Sequence, residues 1–335
     1  MKKLVLLIYM CCLTASLHAG QPFRVMFYNV ENLFDTQHDE GKNDYEFLPD
    51  KPKAWTYARY QDKLNKIAKV IIATSKENVP DLVGLCEVEN DRCLTDLTEH
   101  SPLCEAGYRY VMTESRDERG IDVALLYQRS TFKFIDKEII QIPLGIVNLP
   151  PTRDILHVVG QVLSGDTLDV FVCHMPSRAG GEEKSKPYRR LTSQILRAKA
   201  DSVMNIRHHP NVLIMGDFND YPKDEAIYKI LEAKKPKLFI KSRKLYNLMD
   251  RRKEGTYRYR GEWGVLDQLI VSGYLLTGHA VRTRYENAQI LRYPFLLEED
   301  DRYGGEIPSR TYLGKKYHGG YSDHLPVCID FEINY

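Results

Sequence analysis

The sequence has few of the features that would assign it to a simple class. Its seven cysteines include no pair at Cys-x-x-Cys spacing, which argues against a structural zinc site. The formal net charge is only +1, so the chain as a whole is not expected to attract nucleic acid by bulk charge. No Gly/Ser-rich or Pro-rich linker and no internal repeat interrupts the chain, which favours a single domain.

Long apolar runs are also scarce, and the most conspicuous one lies at the start. Lys2 and Lys3 precede the apolar stretch Leu4–Leu13, and small residues then lead to Ala19. A basic start and an apolar stretch too short to cross a bilayer are typical of a secretory signal peptide. We therefore predict a signal peptide over residues 1–19 and a mature domain over residues 20–335. We expect an exported, periplasmic or extracellular protein, monomeric and without a membrane span.

The charges of the mature chain are unevenly distributed. Two of the 47 lysines and arginines would leave with the leader, so against 46 acids the mature net charge becomes −1. Lys234 to Arg260 nevertheless contains eleven basic residues and only two acids, interleaved with Phe and Tyr. Such a segment suits a phosphate-bearing polymer, because cations meet phosphates and rings stack on bases. It is equally typical of a solvated surface loop, and both interpretations stay open at this stage.

Five cysteines follow the leader, and an odd count in an exported chain leaves at least one thiol unpaired. Three of them, Cys86, Cys173 and Cys328, lie in apolar runs and are interpreted as small core residues. Cys93 and Cys104 flank a predicted helix and are the pair to consider for a disulfide.

Helical periodicity is clearest in two segments, Tyr57–Ala73 and Pro187–Ile206. Short apolar runs bounded by turn residues predict many strands. We place them at Phe23–Asn29, Leu82–Glu87, Asp122–Tyr127, Leu156–Val162, Leu168–His174, Val212–Met215, Leu266–Val271 and Pro326–Phe331. Strands in this number, mixed with helices, indicate an α/β or α+β fold.

Two polar segments stand where apolar runs meet turns. Val212–Met215 leads into Gly216–Asp220, and Ser322–His324 directly precedes the apolar run from Leu325. Strand ends hold side chains rigidly at the edge of a sheet. Carboxylates, an amide and an imidazole held there are suited to binding a hard divalent cation and a hydrolytic water. The alternative for either segment alone is an ordinary Asx-turn or loop cap.

Four further motifs accompany these two: Phe27–Asn32, Pro80–Glu87, Phe171–Ser177 and Trp263–Ile270. In this order the six motifs resemble those of the endonuclease/exonuclease/phosphatase superfamily, the metal-dependent phosphoesterases similar to DNase I and exonuclease III-type endonucleases. The resemblance extends from Phe23 to Ile333. It implies a DNase I-like α+β fold, a four-layer α/β/β/α sandwich with the active site at one end.

The resemblance also implies a set of metal ligands. Asn29, Glu87 and Asp323 would bind Mg²⁺ or Mn²⁺, which prefer carboxylate and amide oxygens. Glu89 lies two residues beyond Glu87 and is a rival ligand.

The remaining motif residues would perform the chemistry. Asp217 would hold or deprotonate the attacking water, and Asn219 would orient that water or the phosphate. His324 would contact a phosphate oxygen or take a proton while Asp267 holds its ring, and His174 would lie near the phosphate or leaving group. Whether the general base is Asp217 or the His324–Asp267 pair stays open.

Two other residues are candidate substrate contacts. Asp122 lies at a strand start, and Arg178 follows the loop after His174. Ordinary surface pairing is the alternative for both.

The expected function is that of an exported, divalent-metal-dependent phosphoesterase, with phosphodiester bonds of DNA or RNA as substrate. The alternative is a phosphatase or phosphodiesterase acting on small or lipid phosphates, like the inositol-phosphate phosphatases or sphingomyelinases. The segment around Asp267 lacks the Pro-Ala-Trp-Cys-Asp-Arg pattern of the inositol phosphatases. A binding protein without activity on the same scaffold is disfavoured, because no matched position carries a disabling residue.

Overall fold

The computed structural model describes residues 20–143, 151–178, 180–250, 252 and 254–335, so the predicted signal peptide lies outside the described residues. The strands are β1 (Gln21–Leu33), β2 (Leu82–Val88), β3 (Arg109–Met112), β4 (Asp122–Tyr127), β5 (Phe132–Ile140), β6 (Ile155–Val162), β7 (Thr167–His174), β8 (Val212–Asp217), β9 (Leu245–Asn247), β10 (Tyr257–Tyr259), β11 (Glu262–Gly264), β12 (Asp267–Ser272), β13 (Val281–Arg282), β14 (Ala288–Ile290), β15 (Leu297–Glu299), β16 (Glu306–Pro308), β17 (Tyr312–Leu313), β18 (Lys316–Tyr317) and β19 (Val327–Ile333). The α-helices are α1 (Tyr57–Ala73), α2 (Asp91–Glu99), α3 (Glu182–Ile206) and α4 (Gly273–Thr277).

Two large sheets organise the chain. The first has the order β13-β19-β1-β2-β4-β3, with β14 also paired to β19. The second has the order β5-β6-β7-β8-β12-β9. Each sheet contains one parallel pair at its centre, β1–β2 in the first and β7–β8 in the second, and the other pairs are antiparallel. A long helix connects each parallel pair, α1 in the first sheet and α3 in the second, as parallel strands require.

The buried side chains form three cores between four layers. Leu64 and Ile67 of α1 pack with Met26 of β1 on the outer face of the first sheet. Phe27 belongs instead to the core between the two sheets, because successive strand residues point to opposite faces. The third core joins α3 to the outer face of the second sheet and includes Phe171. This layering confirms the predicted four-layer α/β/β/α sandwich.

Because of the strand directions, the polar motifs lie at the same end of both sheets. The end of β7 at His174 pairs with the end of β8 at Asp217, and Asp217 pairs on its other side with Asp267 at the start of β12. In the first sheet, Asn29 of β1 pairs with Cys86 of β2 near the corresponding end. At the opposite end, Gln21 of β1 pairs with Ile333 of β19.

Some local predictions need correction. The edge strand β5 was not predicted, and α3 begins at Glu182, five residues before the predicted start at Pro187. Cys93 lies within α2 and is buried, whereas Cys104 is exposed, and both thiols are free. The considered disulfide between them is therefore absent. Within the described residues, no helix is both long enough and apolar enough to cross a membrane.

Candidate active site

Asp217 is the centre of the polar cluster. Its side chain is buried, one oxygen (Oδ1) accepts the backbone N–H of Asn219 at 2.9 Å, and the other (Oδ2) accepts Asn29 Nδ2 at 3.1 Å. Gly216 makes this placement possible, because a Cβ there would lie 2.2 Å from the carbonyl oxygen of Cys173. The missing side chain lets the ends of β7 and β8 approach closely, which sets Asp217 beside His174.

His324 and Asp267 form the predicted carboxylate–histidine pair. Nδ1 of His324 lies 2.8 Å from Oδ2 of Asp267, and both side chains are buried. The other ring nitrogen, Nε2, lies 3.7 Å from Oδ2 of Asp217. A carboxylate bound to Nδ1 fixes the orientation of the ring and directs Nε2 into the cluster.

His174 approaches the same carboxylate from the neighbouring strand. Its Nε2 lies 3.7 Å from Oδ2 of Asp217 and 3.8 Å from Oε1 of Glu87. Nδ1 of His174 is buried and has no hydrogen-bond partner among the described residues. The two imidazoles therefore face one oxygen of Asp217 from two sides.

A bulge in β2 separates the two rival glutamates. The β2–β4 register shifts between Cys86 and Val88, and Glu87 has a positive φ of 64°, as expected for a bulged position. Oε2 of Glu87 accepts the backbone N–H of Asn32 at 2.9 Å. Glu89 instead accepts the backbone N–H of Asp35 at 2.7 Å, three residues further along the same segment and just after β1 ends. The bulge thus directs Glu87, and not Glu89, towards His174.

Asn29 and Asp323 occupy neighbouring positions in this region. Asn29 Oδ1 accepts the backbone N–H of Glu31 at 3.0 Å, and its carbonyl accepts the hydroxyl of Ser322 at 2.7 Å. Asp323 forms an ion pair with Arg310. The structure therefore brings Asn29 and Glu87 directly around the Asp217 and His174 side chains, whereas the Asp323 carboxylate is held by an arginine.

A buried lysine and glutamate behind Asp323 were not found by sequence reasoning. Lys63 of α1 is 1% exposed and donates to the hydroxyl of Thr311 and the carbonyl of Tyr321, both at 2.6 Å. Glu31 accepts the backbone N–H of Thr311 at 2.6 Å, and its other oxygen lies 3.6 Å from Arg310. The sequence feature that could have identified Lys63 as buried is its position beside Leu64 in the apolar stripe of the helix. Arg310 had no comparable signal.

Arg178 is placed to hold the loop after Asp217. Its Nε donates to the carbonyl of Asn219 at 2.6 Å, and its Nη2 donates to Asp220 at 3.0 Å and also to Asp224. Asn219 has a positive φ of 50°, and its Nδ2 donates to the carbonyl of Met175 at 3.1 Å. Arg178 therefore positions the loop, and its direct contact with substrate stays a prediction.

Asp122 is only 2% exposed. Its carboxylate accepts the hydroxyl of Thr113 and the backbone N–H of Ser115, the latter at 2.9 Å. Those bonds fix the loop after β3. The structure does not bring Asp122 into the polar cluster by any described contact, and its role as a substrate contact also stays a prediction.

Burial and mutual repulsion strongly perturb the pKa values of the cluster. Burial raises the pKa of Asp217 to about 7, although His324 opposes the shift, and Asp267 and Glu87 add to it. Burial lowers the pKa of His174 well below its usual range. Burial would also lower the pKa of His324, but the carboxylates of Asp267 and Asp217 together hold it well above the usual value. These opposite shifts indicate a neutral His174 and a protonated His324.

The donor chemistry of the cluster fits a hard divalent cation. Glu87 and Asp217 present carboxylate oxygens, Asn29 lies beside them with its Nδ2 on Asp217, and ligand atoms of Asp217, Asp267 and His324 lie within 4.8 Å of one another. Oδ1 of Asp267 is buried without a hydrogen-bond partner among the described residues. Crowded carboxylates that repel one another are the environment a divalent cation stabilises. The identity of the ion, and the assignment of Asn29, Glu87 and Asp323 as its ligands, stay predictions.

The basic segment from Lys234 to Arg260 is divided between two regions. Lys244 precedes β9, and its carbonyl accepts the N–H of Gly273 at the end of β12 remote from Asp267. Arg243 donates to the carbonyls of Met204 and Arg207 at that same end. Arg251 and Lys253 lie outside the described residues. Tyr257 does reach the cluster, because its ring centroid lies 4.9 Å from that of His324. The segment is therefore not one continuous track to the site.

Comparisons with known proteins agree with this architecture. A family profile described as Endonuclease/Exonuclease/phosphatase family matches residues 24–333. A search of curated protein sequences finds no match.

Three solved structures illustrate the similarity of fold. An endonuclease/exonuclease/phosphatase family protein from Bacteroides thetaiotaomicron has a TM-score of 0.60 at 15% identity, covering 94% of this chain and 99% of that chain. A mannosyl-6-phosphatase from the same organism has a TM-score of 0.58 at 16% identity, covering 92% and 99%. D. rerio TDP2 complexed with single-strand DNA product has a TM-score of 0.56 at 14% identity, covering 93% and 99%. At these identities the likeness establishes the fold alone.

Proposed function

This chain belongs to the endonuclease/exonuclease/phosphatase family, and on that premise we propose that it is an exported, Mg²⁺- or Mn²⁺-dependent hydrolase of phosphodiester bonds in DNA or RNA. The observation that carries the proposal is the arrangement around Asp217. One buried carboxylate faces His174 and His324 at 3.7 Å each, beside Asn29 and Glu87. An acid and two imidazoles, beside residues that would hold a cation, are suited to hydrolysis by an activated water.

Asn29, Glu87 and Asp323 would hold the cation, which when bound would neutralise charge on the phosphoryl oxygens. The backbone N–H of Asn219 holds Oδ1 of Asp217, and Oδ2 faces the two histidines while it also accepts a hydrogen bond from Asn29 Nδ2. This is the geometry of a group that orients a water.

We assign the general base to Asp217. Nδ1 of His324 is bound to Asp267, and its remaining nitrogen faces Asp217 between two carboxylates. An imidazole flanked by carboxylates is stabilised as the cation, which can donate to a phosphoryl oxygen and cannot accept a proton. His174, held neutral in the cluster, would lie beside the phosphate or the leaving oxygen.

Two observations bear on the substrate. The ring of Tyr257 beside His324, within a surface that also carries arginines, supports a substrate with bases and phosphates. Lys241 to Lys244 lie at the far end of the second sheet and cannot line the same cleft. That separation favours, as a second candidate, a phosphatase acting on a small phosphate ester, and the mannosyl-6-phosphatase shares the fold.

The test uses purified residues 20–335, with Mg²⁺, Mn²⁺ or EDTA, and the Asp217→Asn variant as the inactive control. Single-stranded DNA, RNA and plasmid are compared with bis-p-nitrophenyl phosphate, inositol phosphates and mannose 6-phosphate. Metal-dependent cleavage of a polynucleotide, lost in Asp217→Asn, supports the proposal. Release of phosphate from a small monoester without polynucleotide cleavage would favour the second candidate.

Export is a separate part of the proposal, supported by the basic and apolar start of the sequence. Fractionation of the producing cells, with mass spectrometry of the mature N-terminus, tests it. Cleavage after Ala19 is expected, and intact cytoplasmic protein would contradict export.

A further inference from the structure

A pocket of about 600 Å³ lies beside the cluster, between two hairpins that the catalytic assignment does not use. One hairpin is β10–β11 and the other is β15–β16. The pocket is lined by Tyr257, Tyr259, Arg260, Arg302, Tyr303 and Arg310, together with Arg258 and Ile307.

Each hairpin contributes one tyrosine–arginine pair to this pocket. The guanidinium of Arg260 lies 5.1 Å from the ring centroid of Tyr259, and that of Arg302 lies 5.2 Å from the ring centroid of Tyr303. Tyr259 is 56% exposed and Tyr303 is 46% exposed. Neither guanidinium forms an ion pair with a carboxylate in the part of the chain that the structure describes. Both rings and both cations are thus available to a ligand.

Other residues hold the two hairpins together. Arg258 forms an ion pair with Asp300 at 3.0 Å and donates to the carbonyls of Gly304 and Glu306. The side chains of Arg258 and Asp300 are buried where the two hairpins meet, so Arg258 has a structural role. Its bonds join β10 to the turn between β15 and β16.

The turn of the first hairpin also fits against the second. Arg260 and Gly261 have φ values of 50° and 88°, which two-residue hairpin turns with two positive φ angles require. A Cβ at Gly261 would lie 3.1 Å from Cβ of Tyr303. The backbone of one turn therefore packs directly against a pocket tyrosine of the other hairpin, and the pocket has fixed walls.

The pocket adjoins the catalytic cluster through two of its lining residues. The Tyr257 ring lies 4.9 Å from that of His324, and Arg310 is paired with Asp323. A ligand seated against Tyr257 and Arg310 would be next to the phosphate that His324 contacts. The spacing suits a group covalently joined to that phosphate.

We propose that this pocket is a subsite for the nucleotide adjacent to the scissile phosphate of a single-stranded nucleic acid. Tyr259 and Tyr303 stack on its base, and Arg260 and Arg302 bind its phosphate. The inference rests on the proposed nuclease function and adds the position and chemistry of substrate recognition. Aromatic faces with arginines are the combination that binds single strands, because stacking accepts every base and the cations follow the backbone.

The experiment measures two variants, Arg260→Ala/Arg302→Ala and Tyr259→Ala/Tyr303→Ala, against the control Lys241→Ala/Lys244→Ala. The control variant also removes two positive charges, but at the end of the second sheet that is remote from the pocket. Cleavage of a labelled single-stranded oligonucleotide is followed with hydrolysis of bis-p-nitrophenyl phosphate. Binding of the oligonucleotide is measured by anisotropy at several salt concentrations, in an Asp217→Asn background.

The arginine variant should raise KM and Kd for the oligonucleotide about tenfold or more, with kcat and bis-p-nitrophenyl phosphate hydrolysis unchanged. Its log Kd should depend less steeply on log salt, because the loss of one neutralised phosphate of a single strand changes the slope by roughly 0.7. The tyrosine variant should weaken binding roughly fivefold or more for each lost stack at an unchanged salt slope.

Three results would overturn the subsite. They are equal losses in the control, parallel losses on both substrates, or unchanged oligonucleotide binding in both pocket variants. Failure of the proposed function is a different outcome, in which the unaltered enzyme hydrolyses a small phosphate ester but neither binds nor cleaves the oligonucleotide. Weakened affinity of the pocket variants for a sugar phosphate would then assign the pocket to that class and overturn the nucleotide assignment.

Discussion

Asp267 binds the His324 ring on the side that faces away from Asp217. Oδ2 of Asp267 lies 2.8 Å from Nδ1, whereas Asp217 lies 3.7 Å from Nε2. Asp267 therefore orients the imidazole, whereas Asp217 faces Nε2, the ring nitrogen that takes part in the proposed chemistry. The pairing also stabilises the positive charge of the ring.

Replacing Asp267 by Asn should keep the size of the side chain and remove that charge. We expect kcat to fall roughly a hundredfold or more, as for loss of an acid–base group. Thermal unfolding and kcat are measured together, with Asp166→Asn as a control remote from the cluster. Near-native turnover in Asp267→Asn would remove the pair from the mechanism.

The two neighbouring glutamates should respond very differently to amide substitution. Glu87→Gln removes charge beside His174 and should lower activity about a hundredfold or more and weaken Mg²⁺ activation. Burial raises the pKa of Glu89 to about 9, so Glu89→Gln resembles the protonated form present at pH 7. Its activity should stay within about threefold of the native value. Titration of activity with Mg²⁺ makes the comparison, and a larger loss at Glu89 would reverse the ligand assignment.

The buried lysine of α1 should contribute strongly to stability. Burial lowers the pKa of Lys63 to about 8, while Glu31 and Asp323 oppose the shift. Lys63→Met should cost about 3 kcal/mol or more in urea unfolding, because Glu31 loses a cation in a buried site. Lys76→Met, at an exposed ion pair with Asp330, is the control and should cost less than about 1 kcal/mol.

A double substitution, Lys63→Met/Glu31→Gln, then separates charge from packing. Removal of both charges should recover much of the lost stability. If the double variant is as unstable as the sum of the two single ones, the charges do not interact.

Asp169 should make stability depend on acid pH. Burial alone would raise its pKa, but hydrogen bonds from His157 and Arg207 hold the pKa below the usual value. A lowered pKa in the folded state contributes stability above the unfolded pKa, and this is lost as pH falls through the folded value. Asp169→Asn should therefore cost about 1.5–3 kcal/mol at pH 6 to 7. The difference should shrink below about pH 4, and a pH-independent difference in urea unfolding would contradict the charge argument.

The sequence predicted elements well where one periodicity dominated. The bounds of α1 and β4 agree with the predicted Tyr57–Ala73 and Asp122–Tyr127. Strand β5 escaped prediction because most of its residues are exposed at a sheet edge, so it has no continuous apolar run. The start of α3 was missed because Pro187 looks like a first helical residue, whereas the structure continues the helix back to Glu182.

The candidate site was predictable where its residues end strands. Asp217, His174 and Asp267 belong to motifs attached to apolar runs, and adjacent strands bring them together. Lys63 and Thr311 meet across 248 positions of sequence. No local pattern specifies such a contact, since only the packing of α1 against the loop before β17 creates it. The tyrosine–arginine pocket likewise depends on two hairpins far apart in sequence.

The pairing of Gln21 with Ile333 brings the two ends of the described chain close together. The first and last described strands are neighbours, and Gln21 and Ile333 meet at the end of the sheet opposite His324. A short linker joining residues 20 and 335 would close the backbone without crossing the cleft. New termini could then be opened at Ser164 and Gly165, in the turn between β6 and β7, which lies at the same remote end. The enzyme should therefore tolerate circular permutation there while keeping its catalytic end intact.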